Sequence, residues 1–558
     1  MIGGDPAAAP DRFGFAFSPR GRFATSMRTA TRRRILERWE LTGENPEPRG
    51  VRELSADTES RVVPLDDGRI LLAGRLPGPR PARYRMELLG RAGPQGGNRI
   101  TLGEVPAAFG CHLLPAPTGS AGSTGPGGPV LAIAVAVEAP DTSTIWQVHD
   151  GAPWLTPLLQ VPGILTGGAW AGPDLLALNR TDQAGTTSGI LADLTRNSWW
   201  PVWQVPGHGT ERIALAAPGT GLLILTTHAA GRRWLGWGRP GDGEVHFPEA
   251  LNPPGTSLRP LAVDEFGERV LLAEQAGATT RLHLHSPSDG TVRPLPGPPC
   301  TITGPAVWSG DLVRFGFAAP DRPPTLGALR FGDRPRWSAA RTGQQRWVGA
   351  ALTRVAGATA SMEAVVYGGP GWTRSPRLVL ALHGGPLSAW TFDFDPVFQM
   401  LAGAGVAVLA PNYRGSTGYG PEHRRPVLGD WGGPDLDDVL HLGADLARLR
   451  SPRLPPPVLL GASYGAFLAL LAACRAAGNW SGAVALAPFL SGPRLHEDSP
   501  AEVRARVVEL GGFGSTEPDG RARDVLDTCT GPGVPLLLAH GREDHTVPVD
   551  QSRTLYRH

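Results

Sequence analysis

PVLLGASYGAFLALLAACRAA (residues 457–477) reads as an apolar strand, a tight turn and an apolar helix in immediate succession. The turn, Gly461-Ala462-Ser463-Tyr464-Gly465, matches G-x-S-x-G. A sharp strand-to-helix turn holds a serine in strained backbone with its hydroxyl aimed outward. It demands small neighbours, because strand and helix approach closely there, and Gly461, Ala462, Gly465 and Ala466 meet that demand. The helix N-terminus behind the serine favours developing negative charge. A lone G-x-S-x-G arises easily by chance in glycine-rich sequence. Here the strand, the helix and the small neighbours supply its context, so Ser463 is the candidate nucleophile.

Outward from this turn, from about residue 346, apolar strands alternate with amphipathic helices, the pattern of an α/β fold with a mainly parallel sheet. Strands are expected at 363–367, 377–382, 406–411, 457–462, 483–488 and 535–540, with helices at 435–450 and 466–477. His383-Gly384-Gly385-Pro386 follows the strand at 377–382 directly. In α/β-hydrolases this loop supplies one backbone N–H of the oxyanion hole, and the residue after the nucleophile supplies the other. The candidates are Gly385 and Tyr464, while His383 is read as shaping the loop. His540-Gly541-Arg542-Glu543-Asp544 follows the last strand. Asp544 stands where the acid belongs in the chain order serine, acid, histidine, and Glu543 is the competing carboxylate.

Residues 1–345 follow another grammar. Apolar runs of four to six residues are separated by Gly, Pro, Asp and Ser clusters, and helical periodicity is nearly absent. A Gly-, Asp- or Pro-rich turn followed by an apolar strand recurs near Phe23, Ile70, Val130, Leu175, Leu222, Val270 and Leu312. Recurrence every 40–50 or so residues in all-β sequence predicts propeller blades of four strands. Seven anchors predict a seven-bladed β-propeller. The one long interval contains GSAGSTGPGG (119–128), an insertion of loop composition. Trp199, Trp200, Trp234 and Trp308 are read as blade packing. The domains are thus 1–345, a propeller, and 346–558, an α/β-hydrolase domain.

Composition narrows the function classes. Of 558 residues, 41% are hydrophobic and 19% charged, as in packed globular chains. The net charge of +2 gives no pull toward nucleic acid or anionic membranes. All 53 basic residues are arginine, which with 75 Gly and 57 Pro reads as codon bias. Cys111, Cys300, Cys474 and Cys529 are far apart, so neither a disulfide scaffold nor a zinc site is expected. No signal peptide and no spanning helix is read, and a cytoplasmic protein without cofactor or metal is expected.

The blocks HGGP (383–386), NYRGSTGYG (412–420), DWGGPDLDDV (430–439), GASYGAFLAL (461–470) and HGREDHTVPVDQS (540–552) together resemble the prolyl oligopeptidase family in order and spacing. The resemblance covers nearly the whole chain and implies a serine peptidase for short peptides, capped by its propeller, with homo-oligomers possible. It implies Ser463 as nucleophile, Asp544 as acid, Gly385 and Tyr464 as oxyanion donors, and Arg414 with Asp437 in a buried polar network. Ala462 and Ala466 stand where the family often has glycine. The triad histidine should follow Asp544 beyond a further helix and strand, whereas DQSRTLYRH ends at His558 within the expected start of that helix. The base is therefore expected to be missing from this chain, which reads as truncated at its C-terminus. His545, His558 and His496 are poor substitutes by position. A carboxylesterase or lipase is the enzymatic alternative, and a propeller scaffold with an inert hydrolase domain is the other.

Overall fold

The computed structural model of the chain describes residues 11–30, 33–42, 46–55, 59–78, 82–90, 98–117, 124–125, 127–203, 209–229, 232–340, 345–514, 523–529, 531 and 533–558. Most of the insertion expected at 119–128 lies outside the described residues. Seven antiparallel sheets come first, then one mixed sheet of seven strands. The seven are propeller blades, and the sequence anchors mark the second strand of each: Phe23–Ala30, Ile70–Arg75, Gly128–Ala139, Leu175–Thr181, Leu222–Ala229, Val270–Ala276 and Leu312–Ala319.

The second strands are legible because both of their faces are covered. Ile70 packs with Met27 and Leu36 of the first blade. Its neighbour Leu71 points the other way and packs with Ala132 and Val148 of the third. A strand sandwiched between two blades therefore reads as a continuous apolar run rather than an alternation. Tryptophans fill the same seams: Trp199 packs against the cluster between the third and fourth blades, and Trp308 stacks on Phe331 at 4.9 Å. Trp234 carries the Arg232 guanidinium over its ring, while Trp200 is 39% exposed. Two blades depart from the four-strand rule among the described residues: the third has five strands and the fifth has three. After Arg232–Gly238 the chain passes Gly241, Gly243 and Pro248 and makes only the single bridge Trp237–His246. Glycine weakens a strand and proline cannot donate to a ladder.

The mixed sheet runs Ala350–Ala356, Ser361–Tyr367, Ala407–Pro411, Leu378–Leu382, Val458–Ala462, Gly482–Leu486 and Leu536–Ala539. The first two strands are antiparallel and the last five are parallel. Leu378–Leu382 and Ala407–Pro411 are buried at every position, as central parallel strands covered on both faces must be. Strand Ala350–Ala356 was not expected from sequence; half exposed, it shows no apolar run. Helix Tyr464–Arg475 has ten of its twelve residues buried, which places it under the core of the domain. Helix Pro434–Leu449 instead buries one stripe, Leu436, Val439, Leu442 and Leu446.

The cysteines require a correction. Cys474, near the end of helix Tyr464–Arg475, is joined to Cys529 by a disulfide with Cα atoms 5.4 Å apart. The two lie 55 residues apart in sequence, a separation that hides their neighbourhood until the sheet is assembled. Such bonds persist in oxidising surroundings rather than in the cytoplasm. Cys111 and Cys300 are free and buried. Among the described residues no helix is long and apolar enough to cross a membrane.

Candidate active site

Ser463 caps the helix Tyr464–Arg475 with φ 53° and ψ −118°, a left-handed conformation that side chains rarely adopt. Its surroundings over-determine it. The Ser463 N–H donates to Leu486 O of the neighbouring strand at 2.9 Å, and Ser463 O accepts from Ala466 N–H and Phe467 N–H at 3.0 Å. The residue is half-buried and Ala462 is exposed, so the elbow faces solvent. The small neighbours are enforced by main chain. A Cβ on Gly461 would stand 2.2 Å from Gly465 O, and one on Gly465 would stand 2.2 Å from Leu382 O and 2.6 Å from His383 O.

That last contact brings the second loop in. Strand Leu378–Leu382 pairs with Val458–Ala462, with Leu382 opposite Gly461, so the 383–386 loop leaves the sheet beside the elbow. Gly385 has φ +152°, and a Cβ there would stand 2.9 Å from Leu387 N. Neither the Gly385 nor the Tyr464 N–H donates to another group among the described residues. The loop is stiffened by His383, which is buried and stacked on Tyr413 at 4.2 Å. His383 Nδ1 lies 2.6 Å from Gly384 O and Nε2 lies 2.7 Å from the Ser416 hydroxyl, which donates to Tyr413 O at 2.7 Å. The Tyr413 hydroxyl donates to His383 O at 2.6 Å.

Burial pushes the His383 pKa down to about 4. Unfolded, the same ring takes a proton near about 6.5. Between those values the unfolded chain binds more protons, so this group's contribution to stability is lost as pH falls through the window, by about 3 kcal/mol at its acid end. The drop in thermal midpoint between pH 6.5 and pH 4 should be smaller in His383→Gln than in the wild type. Equal drops would refute the assignment.

Tyr464 is anchored from below. Its side chain is fully buried, its hydroxyl donates to Asp435 Oδ2 at 2.5 Å, and its oxygen accepts from Gly432 N–H at 3.3 Å. Burial pushes the Asp435 carboxyl up to about 7, against the pull of the Tyr464 hydrogen bond. Sequence reading missed Asp435. It also placed the Arg414 partner one residue early. Arg414 N–H and Nε both donate to Asp438 Oδ2 at 3.0 Å, and Asp438 is buried while Asp437 is exposed. On a helix, one residue is a rotation of about 100°, so Asp437 faces solvent.

Asp544 follows strand Leu536–Ala539, at the same carboxyl edge of the sheet as Ser463 and Gly385. Its Oδ1 accepts from Thr546 N–H at 2.8 Å and Val547 N–H at 2.9 Å. Asp544 is half-buried and Glu543 is exposed. His540, another residue the sequence reading passed over, holds this loop: Nε2 donates to Val547 O and Nδ1 accepts from the Ser552 hydroxyl, each at 2.7 Å. Its Nε2 lies 3.8 Å from Asp544 Oδ2, beyond hydrogen-bond reach. Of the three histidines set aside from sequence, His496 meets Phe513 edge-on at 4.8 Å, His558 Nε2 donates to Cys529 O at 2.9 Å, and His545 is exposed.

Comparison with known proteins agrees with this architecture. The model of the prolyl oligopeptidase family matches residues 390–558. An uncharacterized peptidase of Bacillus subtilis (YuxL) is 32% identical over 195 residues, 32% of this chain and 27% of its own. The acylamino-acid-releasing enzyme of Sus scrofa is 30% identical over 196 residues, 34% of this chain and 26% of its own. The matched stretch thus spans about a quarter of the length of these two relatives. Among solved structures, an acylaminoacyl peptidase of Pyrococcus horikoshii superposes with a TM-score of 0.69 at 15% identity, over 98% of this chain and 89% of its own. A puromycin hydrolase gives 0.69 at 19% identity, over 99% and 90%. With HGGP just ahead of the matched stretch and the elbow inside it, residues 390–558 carry a domain of the prolyl oligopeptidase family.

Proposed function

We propose that the chain is a serine peptidase that hydrolyses short peptides by acyl transfer through Ser463. The observation that carries this reading is a half-buried serine at positive φ beside two main-chain N–H groups that donate to nothing among the described residues. In the proposed mechanism Ser463 Oγ attacks the scissile carbonyl carbon, and the carbonyl oxygen takes the negative charge between the N–H groups of Gly385 and Tyr464. Donors aimed at that oxygen are worth about 3–4 kcal/mol each in the transition state. Collapse expels the amine and leaves an acyl-serine, which water hydrolyses. Asp544 would orient a histidine imidazole that takes the Ser463 proton and returns it to the departing amine, and no histidine among the described residues hydrogen-bonds to Ser463 or Asp544. Relatives named acylamino-acid-releasing enzyme and probable dipeptidyl-peptidase 5 support small peptides as the substrate class. Short peptide p-nitroanilides and p-nitrophenyl esters, assayed side by side, test the choice. Turnover of anilides is expected. Turnover of esters alone would make the protein a carboxylesterase. No turnover together with no fluorophosphonate labelling would leave a scaffold.

A further inference from the structure

The hairpin joining Val270–Ala276 to Thr279–His285 in the sixth blade ends in Gly277-Ala278, and this tip enters the hydrolase domain. Gly277 N–H donates to Gly418 O at 2.8 Å, and Ala278 O accepts from Phe392 N–H at 2.6 Å. Ala278 N–H donates to Glu363 Oε1 at 2.7 Å. The Ala278 side chain is wholly buried in the cluster that holds Tyr367, Phe392 and Phe398. The fit is close. A Cβ on Gly277 would stand 2.5 Å from Glu363 Oε1, and one on Gly418 would stand 2.7 Å from Gly277 O.

Glu363 does not end the contact. The same Oε1 accepts from the Tyr419 hydroxyl at 2.9 Å, and the Tyr419 oxygen accepts from Asn412 Nδ2 at 2.7 Å. Asn412 grips the backbone of Trp390 from both sides: its Oδ1 accepts from Trp390 N–H at 2.7 Å, and its Nδ2 donates to Trp390 O at 2.9 Å. Thr417 N–H adds a bond to Ser388 O at 2.8 Å. Ser388 and Trp390 lie on the loop that carries Gly385. An unbroken run of hydrogen bonds therefore leads from the propeller tip to the segment that presents one oxyanion donor. Asn412 is fully buried, so bonds lost along the run are not replaced by water without cost.

We propose that Glu363 is a positioning residue: by accepting from both Ala278 N–H and the Tyr419 hydroxyl, it makes the aim of the Gly385 N–H depend on the seating of the propeller tip. This rests on the reading of Ser463 as nucleophile and Gly385 as oxyanion donor. Both donors meet one carboxylate oxygen, which the amide oxygen of glutamine can replace, whereas alanine removes it. The full chain is labelled with a fluorophosphonate, whose P=O oxygen needs the same hole, and the maximal labelling rate is separated from the half-saturating concentration. Glu363→Ala and Tyr419→Phe should each slow the maximal rate about tenfold or more with little change in half-saturation. Glu363→Gln should restore most of it. The double variant Glu363→Ala/Tyr419→Phe should be no slower than the worse single one, since both break one run. Wild-type labelling with Glu363→Ala within about twofold of it would overturn this inference alone. The same holds for a Glu363→Gln variant as slow as alanine. A wild type that is not labelled at Ser463 overturns the peptidase reading and this inference with it.

Discussion

Ser463→Ala is expected to abolish fluorophosphonate labelling and all acyl-enzyme formation from peptide substrates, leaving substrate binding close to that of the wild type. The change removes one oxygen from a half-buried position and adds no clash. The elbow's backbone bonds to Leu486 O and from Ala466 and Phe467 do not use the hydroxyl. Stability should therefore hold within about 1 kcal/mol. It could even rise slightly, because active-site geometry is commonly maintained against local stability. What is lost is the covalent path: without Oγ no acyl-enzyme forms, and the two main-chain donors can only assist direct attack by water. Intact mass after probe treatment gives the cleanest reading. A variant that still gains the probe's mass at another serine would show that the nucleophile had been misplaced.

Gly465→Ala should be nearly as damaging to activity and far worse for the fold. The added Cβ would stand 2.2 Å from Leu382 O and 2.6 Å from His383 O, and both obstacles are main chain, one at the end of a central strand and one at the start of the loop that follows it. No rotamer relieves such a contact, so strand Leu378–Leu382 and the helix start must separate. Costs of more than about 3 kcal/mol are expected for clashes of this kind. Any molecules that still fold should have lost alignment of the Gly385 and Tyr464 donors together, at about 10²-fold or more in maximal rate. Chemical denaturation together with labelling kinetics separates the two effects. By contrast Ala462→Gly, at an exposed position beside the serine, should change neither measurably. A Gly465→Ala variant with wild-type midpoint and rate would show that the elbow has slack the structure denies it.

Much of this was legible in the residues because the physics was local. The turn at 461–465 needs small side chains wherever it occurs, and the strand and helix flanking it carry their own apolar patterns. Blade periodicity was readable through the second strands, whose double burial leaves an uninterrupted apolar signature. The half-exposed strand Ala350–Ala356 left no such mark, and the fifth blade's glycines and prolines broke the count of four. What could not be read were choices made across space. Whether Asp437 or Asp438 meets Arg414 depends on the rotation of a helix against a loop. That Cys474 reaches Cys529 depends on two connections folding back to one end of the sheet. Glu363, an acid in an apolar strand, gains its meaning only when a hairpin from another domain arrives at its carboxylate.

The pairing of Leu382 with Gly461 puts the two loops on adjacent rungs of one hydrogen-bonded ladder. The spacing between hydroxyl and amides is thereby written in peptide units, not in the reach of long side chains. On the proposed reading, exchanging outward-facing side chains around the site leaves that spacing in place, provided Gly461 and Gly465 stay without bulk. Substrate preference can drift while the machinery underneath stays put.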